Sequence, residues 1–230
     1  MGARNALVLF DIDGTLVRRA GPHHRDALIE AVRRVTGITA SMDGVAVAGM
    51  LDPDILTAMM QGAGMSAAAI RAAMPRVIET AQRVYLRICP VLNRRVCPGV
   101  RAVLRRLQRD GFVLGLVTGN LTRIGWRKLD RAGLREYFRF GAFGEMAVNR
   151  AGLARHAIRE ARREGWIGRG AAVSLVGDHV NDIRAARANR IRAIAVATGV
   201  LDSAALAEHN PDVLLPDLRG LRPDLLELPV

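Results

Sequence analysis

The chain predicts an α/β fold: a parallel sheet with helices on both faces, interrupted early by an all-helical block. Short runs that are apolar throughout, at 6–10, 112–117, 172–176 and 193–196, read as strands buried on both faces. From residue 98 onward these runs alternate with stretches of helical period, as parallel strands joined by helical crossovers do. Between the first run and about residue 90 the pattern is helical instead, so the block is inserted directly after the first strand.

The first strand, 6–10, ends in Asp11-Ile12-Asp13-Gly14-Thr15-Leu16, with Gly14 as the turn residue. A helix is predicted from Pro22 to Val35, with Ala27, Leu28, Ala31, Val32 and Val35 on one face and Gly37 as its stop. Asp52-Pro53 supplies an N-cap and a first-turn proline for a helix over 53–61, broken by Gly62 and Gly64. Ser66 caps a helix running to about Ile88, which Pro75 should kink or split. Residues from about 18 to 90 are thus expected to be wholly helical.

After Pro98, a helix over 99–110 ends at Gly111, and the strand over 112–117 ends in Thr118-Gly119-Asn120. A helix over 122–132 stops at Gly133, and 137–143 reads as a strand or an irregular connection. A helix over 151–164 leads to the strand at 172–176, which ends in Gly177-Asp178. A helix to about Asn189, the strand at 193–196, a short helix near Ala204 and a last strand at 213–215 complete the chain.

A length of 230 residues, half of them apolar, allows one domain with an insertion or two small domains and excludes a disordered chain. No apolar stretch is long enough to span a bilayer, and residues 1–5 have no signal-peptide layout, so no membrane partner and a cytoplasmic location are expected. Cys89 and Cys97 fit no zinc spacing and read as structural thiols. The formal charge of +12 and pI of about 11.4 raise nucleic acid as a partner. Against it, Arg101, Arg105 and Arg109, and Arg155, Arg159 and Arg162, recur at the spacing of wet helix faces, and aromatic residues are few. No specific nucleic-acid partner is expected, although salt-sensitive adsorption to polyanions is compatible with the charge.

Asp11 and Asp13, two apart in an extended chain, point the same way and can converge on one spot. Adjacent carboxylates repel unless a cation or proton lies between them, and a magnesium ion with a phosphorylated substrate satisfies that need. Thr118 and Asp178 also sit at the carboxyl ends of apolar strands, the edge of an open parallel sheet where ligands bind.

These residues carry a family resemblance. Asp11-Ile12-Asp13-Gly14-Thr15-Leu16, Val117-Thr118-Gly119-Asn120 and Gly177-Asp178-His179-Val180-Asn181-Asp182 resemble the first, second and fourth motifs of the haloacid dehalogenase superfamily, in particular its phosphoglycolate-phosphatase-like members. The resemblance implies a Rossmann-like catalytic core at 1–17 and 96–230 and a helical cap at 18–95. It further implies a Mg2+-dependent phosphatase of small phosphorylated metabolites that works through an aspartyl-phosphate. Asp11 is then the nucleophile and Asp13 the acid and base. Asp11, Asp178 and the backbone carbonyl of Asp13 hold the metal, while Thr118, Gly119 and Asn120 bind the phosphoryl group. Asp182 supports the site, and Arg150 is the basic third-motif residue by order and context, with Arg155 as its alternative. Lys128, the only lysine, is expected on the surface of the helix after the second motif, and His23 and His24 are expected to face solvent. Arg71, Arg76 and Arg83 are candidates for holding a substrate carboxylate.

Asp13 argues against dehalogenation, because a halide leaving group needs no proton. The absence of lysine from 18–97 argues against the family's Schiff-base chemistry. A phosphosugar mutase similar to β-phosphoglucomutase is the alternative reaction, and a non-catalytic or polyanion-binding member of the fold is a more distant one. Either a monomer or a homodimer is compatible with the sequence.

Overall fold

The computed structural model of the chain describes residues 5–18, 21–45 and 47–227; the residues at 1–4, 19–20, 46 and 228–230 lie outside this description. Six strands form one parallel sheet: β1 (Ala6–Phe10), β2 (Val113–Val117), β3 (Phe140–Ala142), β4 (Ala172–Gly177), β5 (Arg192–Val196) and β6 (Val213–Leu215). Their order is β3-β2-β1-β4-β5-β6. β1, β2 and β5 are buried at every position, as their uninterrupted apolar runs require. Phe10 is level with Leu116 on one side and Val176 on the other, so β1, β2 and β4 end together.

Helices α4 (Val100–Arg109) and α5 (Thr122–Ala132) pack on one face of the sheet, and α6 (Arg150–Arg163) and α7 (Val180–Ala188) on the other. Two short helices, α8 (Ser203–Ala207) and α9 (Asp224–Glu227), follow, the last of them not foreseen from sequence. The stretch at 137–143, ambiguous in sequence, contributes β3 as an edge strand paired with β2.

The inserted block holds α1 (His23–Thr36), α2 (Asp52–Gly62) and α3 (Ala67–Ile88). Ala27, Leu28, Ala31 and Val32 of α1 are buried in one core with Val77, Ala81, Val84 and Tyr85 of α3. The block departs from expectation in two ways. The described residues at 38–45 and 47–51 are irregular rather than helical. Ser41 and Asp43 bond each other in a local turn, and Gly44 and Gly49 adopt φ of 79° and 69°, outside helical space. Pro75 does not split α3, which runs unbroken from Ser66, whose Oγ caps the Ala69 N–H. Buried side chains on both sides of Pro75, Ile70 and Val77, anchor the two halves to the same core.

Cys89 and Cys97 are buried free thiols, and burial first of all pushes the Cys97 thiol up to about 11, so it is no nucleophile at neutral pH. Among the described residues no helix is long and apolar enough to cross a membrane.

Pro75 is exposed, so replacing it opens no cavity. Pro75→Ala restores an N–H to the helix interior and is expected to stabilise the protein by about 1–3 kcal/mol in urea unfolding. A destabilised variant would mean that the proline serves the packing.

Candidate active site

The switch point of the sheet lies between β1 and β4, where successive connections leave in opposite directions and a crevice opens beyond the strand ends. Asp11 and Asp13 follow β1, Thr118 follows β2 and Asp178 follows β4, and all four line a cleft of about 720 Å³. The structure therefore brings together residues separated by well over a hundred positions in sequence.

Asp11, Asp178 and Asp182 are each buried, with carboxylate oxygens within 4.8 Å of one another. One cation answers them. Arg150, at the start of α6, places Nη1 3.1 Å from Asp11 Oδ1 and 2.7 Å from Asp182 Oδ1, with only 7% of its side chain exposed. Asn149 caps that helix through the Gly152 N–H and so fixes where Arg150 begins its turn. Arg155, one turn further on, is exposed and lines a separate cleft with Arg159 and Arg190.

One guanidinium cannot neutralise three buried carboxylates. Burial, and then the neighbouring Asp11 and Asp182 charges, push Asp178 up to about 8. Burial also raises Asp182 to about 7, with Arg150 opposing it. Both oxygens of Asp182 are already engaged, Oδ1 by Arg150 and Oδ2 by the His179 N–H at 3.2 Å. Asp178 accepts the Thr15 hydroxyl at Oδ1, 3.2 Å away. A Cβ on Gly14 (φ 87°) or on Gly199 would run into the Asp178 carboxylate, so only glycine lets the chain close around it. The donor set is all oxygen and carries excess negative charge, which fits a hard divalent cation.

Asp13 has a different environment. Lys128 Nζ lies 2.8 Å from its Oδ1 and 2.6 Å from its Oδ2, and Asn120 Nδ2 donates to Oδ2 at 2.7 Å. Burial acts to raise Asp13, but Lys128, His24 and these hydrogen bonds outweigh it and hold the carboxyl below its usual range. The expectation that Lys128 lies on the surface is thus overturned: it is only 1% exposed. It falls on the buried stripe of α5 with Ile124, Leu129 and Ala132, a position its spacing already gave. His24 also departs from expectation: it is half-buried, 3.3 Å from Lys128 Nζ through Nδ1 and 3.0 Å from Asp52 Oδ2 through Nε2.

Thr118 is fully buried, and its Oγ1 accepts from the Asn120 side chain at 2.7 Å. No described residue accepts the Thr118 hydroxyl proton. Asn120 Oδ1 accepts from Lys128 Nζ at 2.6 Å, so its amide braces Thr118, Asp13 and Lys128 together. Gly119 turns its carbonyl to the Asp52 N–H at 2.8 Å, away from a ligand in the cleft.

The inserted block forms the other wall. Asp52, buried, also accepts the Leu121 N–H at 2.8 Å, and Asn181 donates to the Gly49 carbonyl at 2.8 Å. Arg18 and Arg25 line the cleft, whereas Arg76 and Arg83 line a different one between α1 and α3.

The family model described as haloacid dehalogenase-like hydrolase matches residues 6–189, a stretch that includes Asp11, Asp13, Thr118, Lys128, Arg150, Asp178 and Asp182. The chain belongs to the haloacid dehalogenase-like hydrolase family. It is similar to a phosphoglycolate phosphatase of Pseudomonas syringae pv. tomato, 28% identical over 224 residues, with 96% of this chain and 80% of that protein matched. A phosphoglycolate phosphatase of Agrobacterium fabrum is 32% identical over 133 residues, 58% of this chain, and the match spans only 56% of that relative's length. The haloacid dehalogenase fold is shared with a solved β-phosphoglucomutase of Clostridium difficile at a TM-score of 0.72 and 16% identity, covering 96% and 94% of the two chains. The alternation of apolar runs and helices therefore reads out as a parallel α/β core of this family.

The raised Asp178 and Asp182 groups make the chelator-treated haloacid dehalogenase fold take up protons on folding. That stabilisation is full below the unfolded carboxylate range and is lost as pH rises through about 7 to 8. Asp178→Asn, neutral throughout, is expected to stabilise the metal-free protein more at about pH 9 than at about pH 5 in urea unfolding. Equal effects at both would reject carboxylate crowding.

Proposed function

We propose that the protein is a Mg2+-dependent phosphatase of small phosphate monoesters that works through an aspartyl-phosphate on Asp11. One observation carries the reading: Asp11 is held at the end of β1 between the Arg150 guanidinium and the Asp178 carboxylate, with a second carboxylate, Asp13, two residues away in a separate cationic environment. Two carboxylates with separate partners can divide nucleophilic and proton-transfer work between them.

An Asp11 oxygen attacks phosphorus as the ester P–O bond breaks, and Asp13, a carboxylate in the free protein that takes up a proton from the bound phosphate monoanion, passes that proton to the departing alkoxide. Water then attacks the aspartyl-phosphate, Asp13 takes back a proton, and the P–O bond to Asp11 breaks to release inorganic phosphate. Lys128 and Asn120 hold Asp13 toward the cleft, and its lowered pKa keeps it a carboxylate at neutral pH, ready to accept the water's proton. Arg150 offsets charge on the phosphoryl oxygens, and the Thr118 hydroxyl donates to one of them. Asp11, Asp178 and the Asp13 backbone carbonyl would hold Mg2+, with Asp182 orienting Arg150. The ion would supply neutralisation of charge shared between carboxylate and phosphoryl group.

Residues 18–95 act in this reading as a cap over a core made of 1–17 and 96–230. The cap wall excludes water while the phosphoryl group is transferred. The substrate class is a small acidic phosphate ester, for which 2-phosphoglycolate is the leading candidate. Support comes from the relatives' names and from Arg18 and Arg25, which line the cleft and can pair with a carboxylate.

Phosphate release from a panel of esters, with Mg2+ and with chelator, tests the reading. Asp11→Asn is expected to lower turnover by about a thousandfold or more while the circular dichroism spectrum is unchanged. Chelation is expected to stop release reversibly. Metal-independent release, or full activity of the variant, would reject the assignment.

A further inference from the structure

We infer that Lys128 is a positioning residue through which the helical block sets the orientation of Asp13. The inference deepens the phosphatase reading and rests on it for the role of Asp13.

The composition gives the first argument. Of the 34 basic residues in the chain, Lys128 alone is lysine, in a sequence that uses arginine everywhere else. It is also among the largest fully buried side chains. The geometry explains the choice. A lysine ammonium has three protons arranged around a compact point charge. Three acceptors on three different residues lie within reach of Nζ: the Asp13 carboxylate at 2.6 Å, Asn120 Oδ1 at 2.6 Å and His24 Nδ1 at 3.3 Å. A planar guanidinium is larger and spreads its N–H groups in one plane, so it does not fit as a compact charge shared by these three acceptors in the same fully buried position.

Two of the acceptors belong to the sheet edge and one to the inserted block. Because His24 Nδ1 accepts from Lys128, its Nε2 carries the proton and donates to Asp52 Oδ2, which also takes the Leu121 N–H. The result is one connected network in which Lys128 donates on one side to Asp13 and on the other to His24, which donates in turn to Asp52, and it crosses from α1 and α2 to α5. Tyr85 of α3 adds its ring, edge-on to His24 at 5.7 Å and 6.0 Å from Nζ. If the block tilts away, His24 and Tyr85 leave Lys128 and water replaces them. The Lys128 ammonium is then free to swing, and Asp13 loses the partner that binds both its oxygens. Seating the block over a substrate therefore completes the alignment of the acid–base carboxylate.

A leaving-group comparison separates this role from a merely structural one. Protonation matters greatly for an alkoxide leaving group and little for p-nitrophenolate. Lys128→Met is expected to lower kcat on 2-phosphoglycolate by about a hundredfold and on p-nitrophenyl phosphate by less than about tenfold, with KM changed little. His24→Phe, which keeps the ring and removes the Nδ1 acceptor, should show the same bias at a smaller size. Lys128→Arg should not restore the lost kcat. Equal losses on both esters would overturn the inference. A second readout needs no turnover and no Lys128 variant: lysine labelled with 15N gives a single side-chain resonance. A protected ammonium signal that moves in both Asp13→Asn and His24→Phe is expected. A freely exchanging signal blind to both variants would overturn the inference, and loss of ester hydrolysis by the unmutated protein would overturn only the phosphatase reading.

Discussion

The structure is organised around the repulsion of carboxylates gathered at one sheet edge. Asp11, Asp178 and Asp182 are buried within 4.8 Å of each other, where burial, and then the neighbouring like charges, hold the Asp178 and Asp182 carboxyls well above the usual carboxylate range. Such a cluster persists only if the rest of the fold holds it. The central position of β1, paired on both sides, fixes Asp11. The Gly14 turn and Gly199 leave room for the Asp178 side chain, and Gly177 does the same for Asp182. The stability given up at this edge is recovered in the cores that cover the two faces of the sheet.

Two cations answer the carboxylates, and they arrive from opposite faces. Arg150 comes from α6 and serves Asp11 and Asp182; Lys128 comes from α5 and serves Asp13. The separation matters chemically. Asp11 and Asp13 lie two apart in sequence, yet each carboxylate has its own cationic partner, which is the division that the proposed nucleophile and acid–base roles require. Asn120 joins the second centre to Thr118, which ties phosphoryl recognition to the placement of Asp13.

The inserted block shares an apolar core with α4 and α5, and around the cleft it completes the site with short polar contacts. Asp52, Gly49 and His24 reach Leu121, Asn181 and Lys128 through single hydrogen bonds around the cleft. Polar contacts of this kind can be broken and remade at small cost compared with apolar burial.

What the sequence determined by itself was local. Apolar runs of strand length gave β1, β2, β4 and β5, glycines gave the stops, and the positions of Asp11, Asp13, Thr118 and Asp178 at strand ends gave the crevice, because strand polarity alone puts those residues on one edge. Lys128 was partly legible, since it falls on the apolar stripe of α5, but a charge on such a stripe also reads as a side chain reaching out to water. Only the tertiary structure decided between those alternatives, by docking α5 so that Lys128 meets a carboxylate 115 positions away. The same holds for which of Arg150 and Arg155 meets Asp11, for His24 against solvent and for the irregular backbone at 38–45 and 47–51. A helix's period fixes which residues share a face, but which charged residue finds its partner depends on how elements distant in sequence are packed.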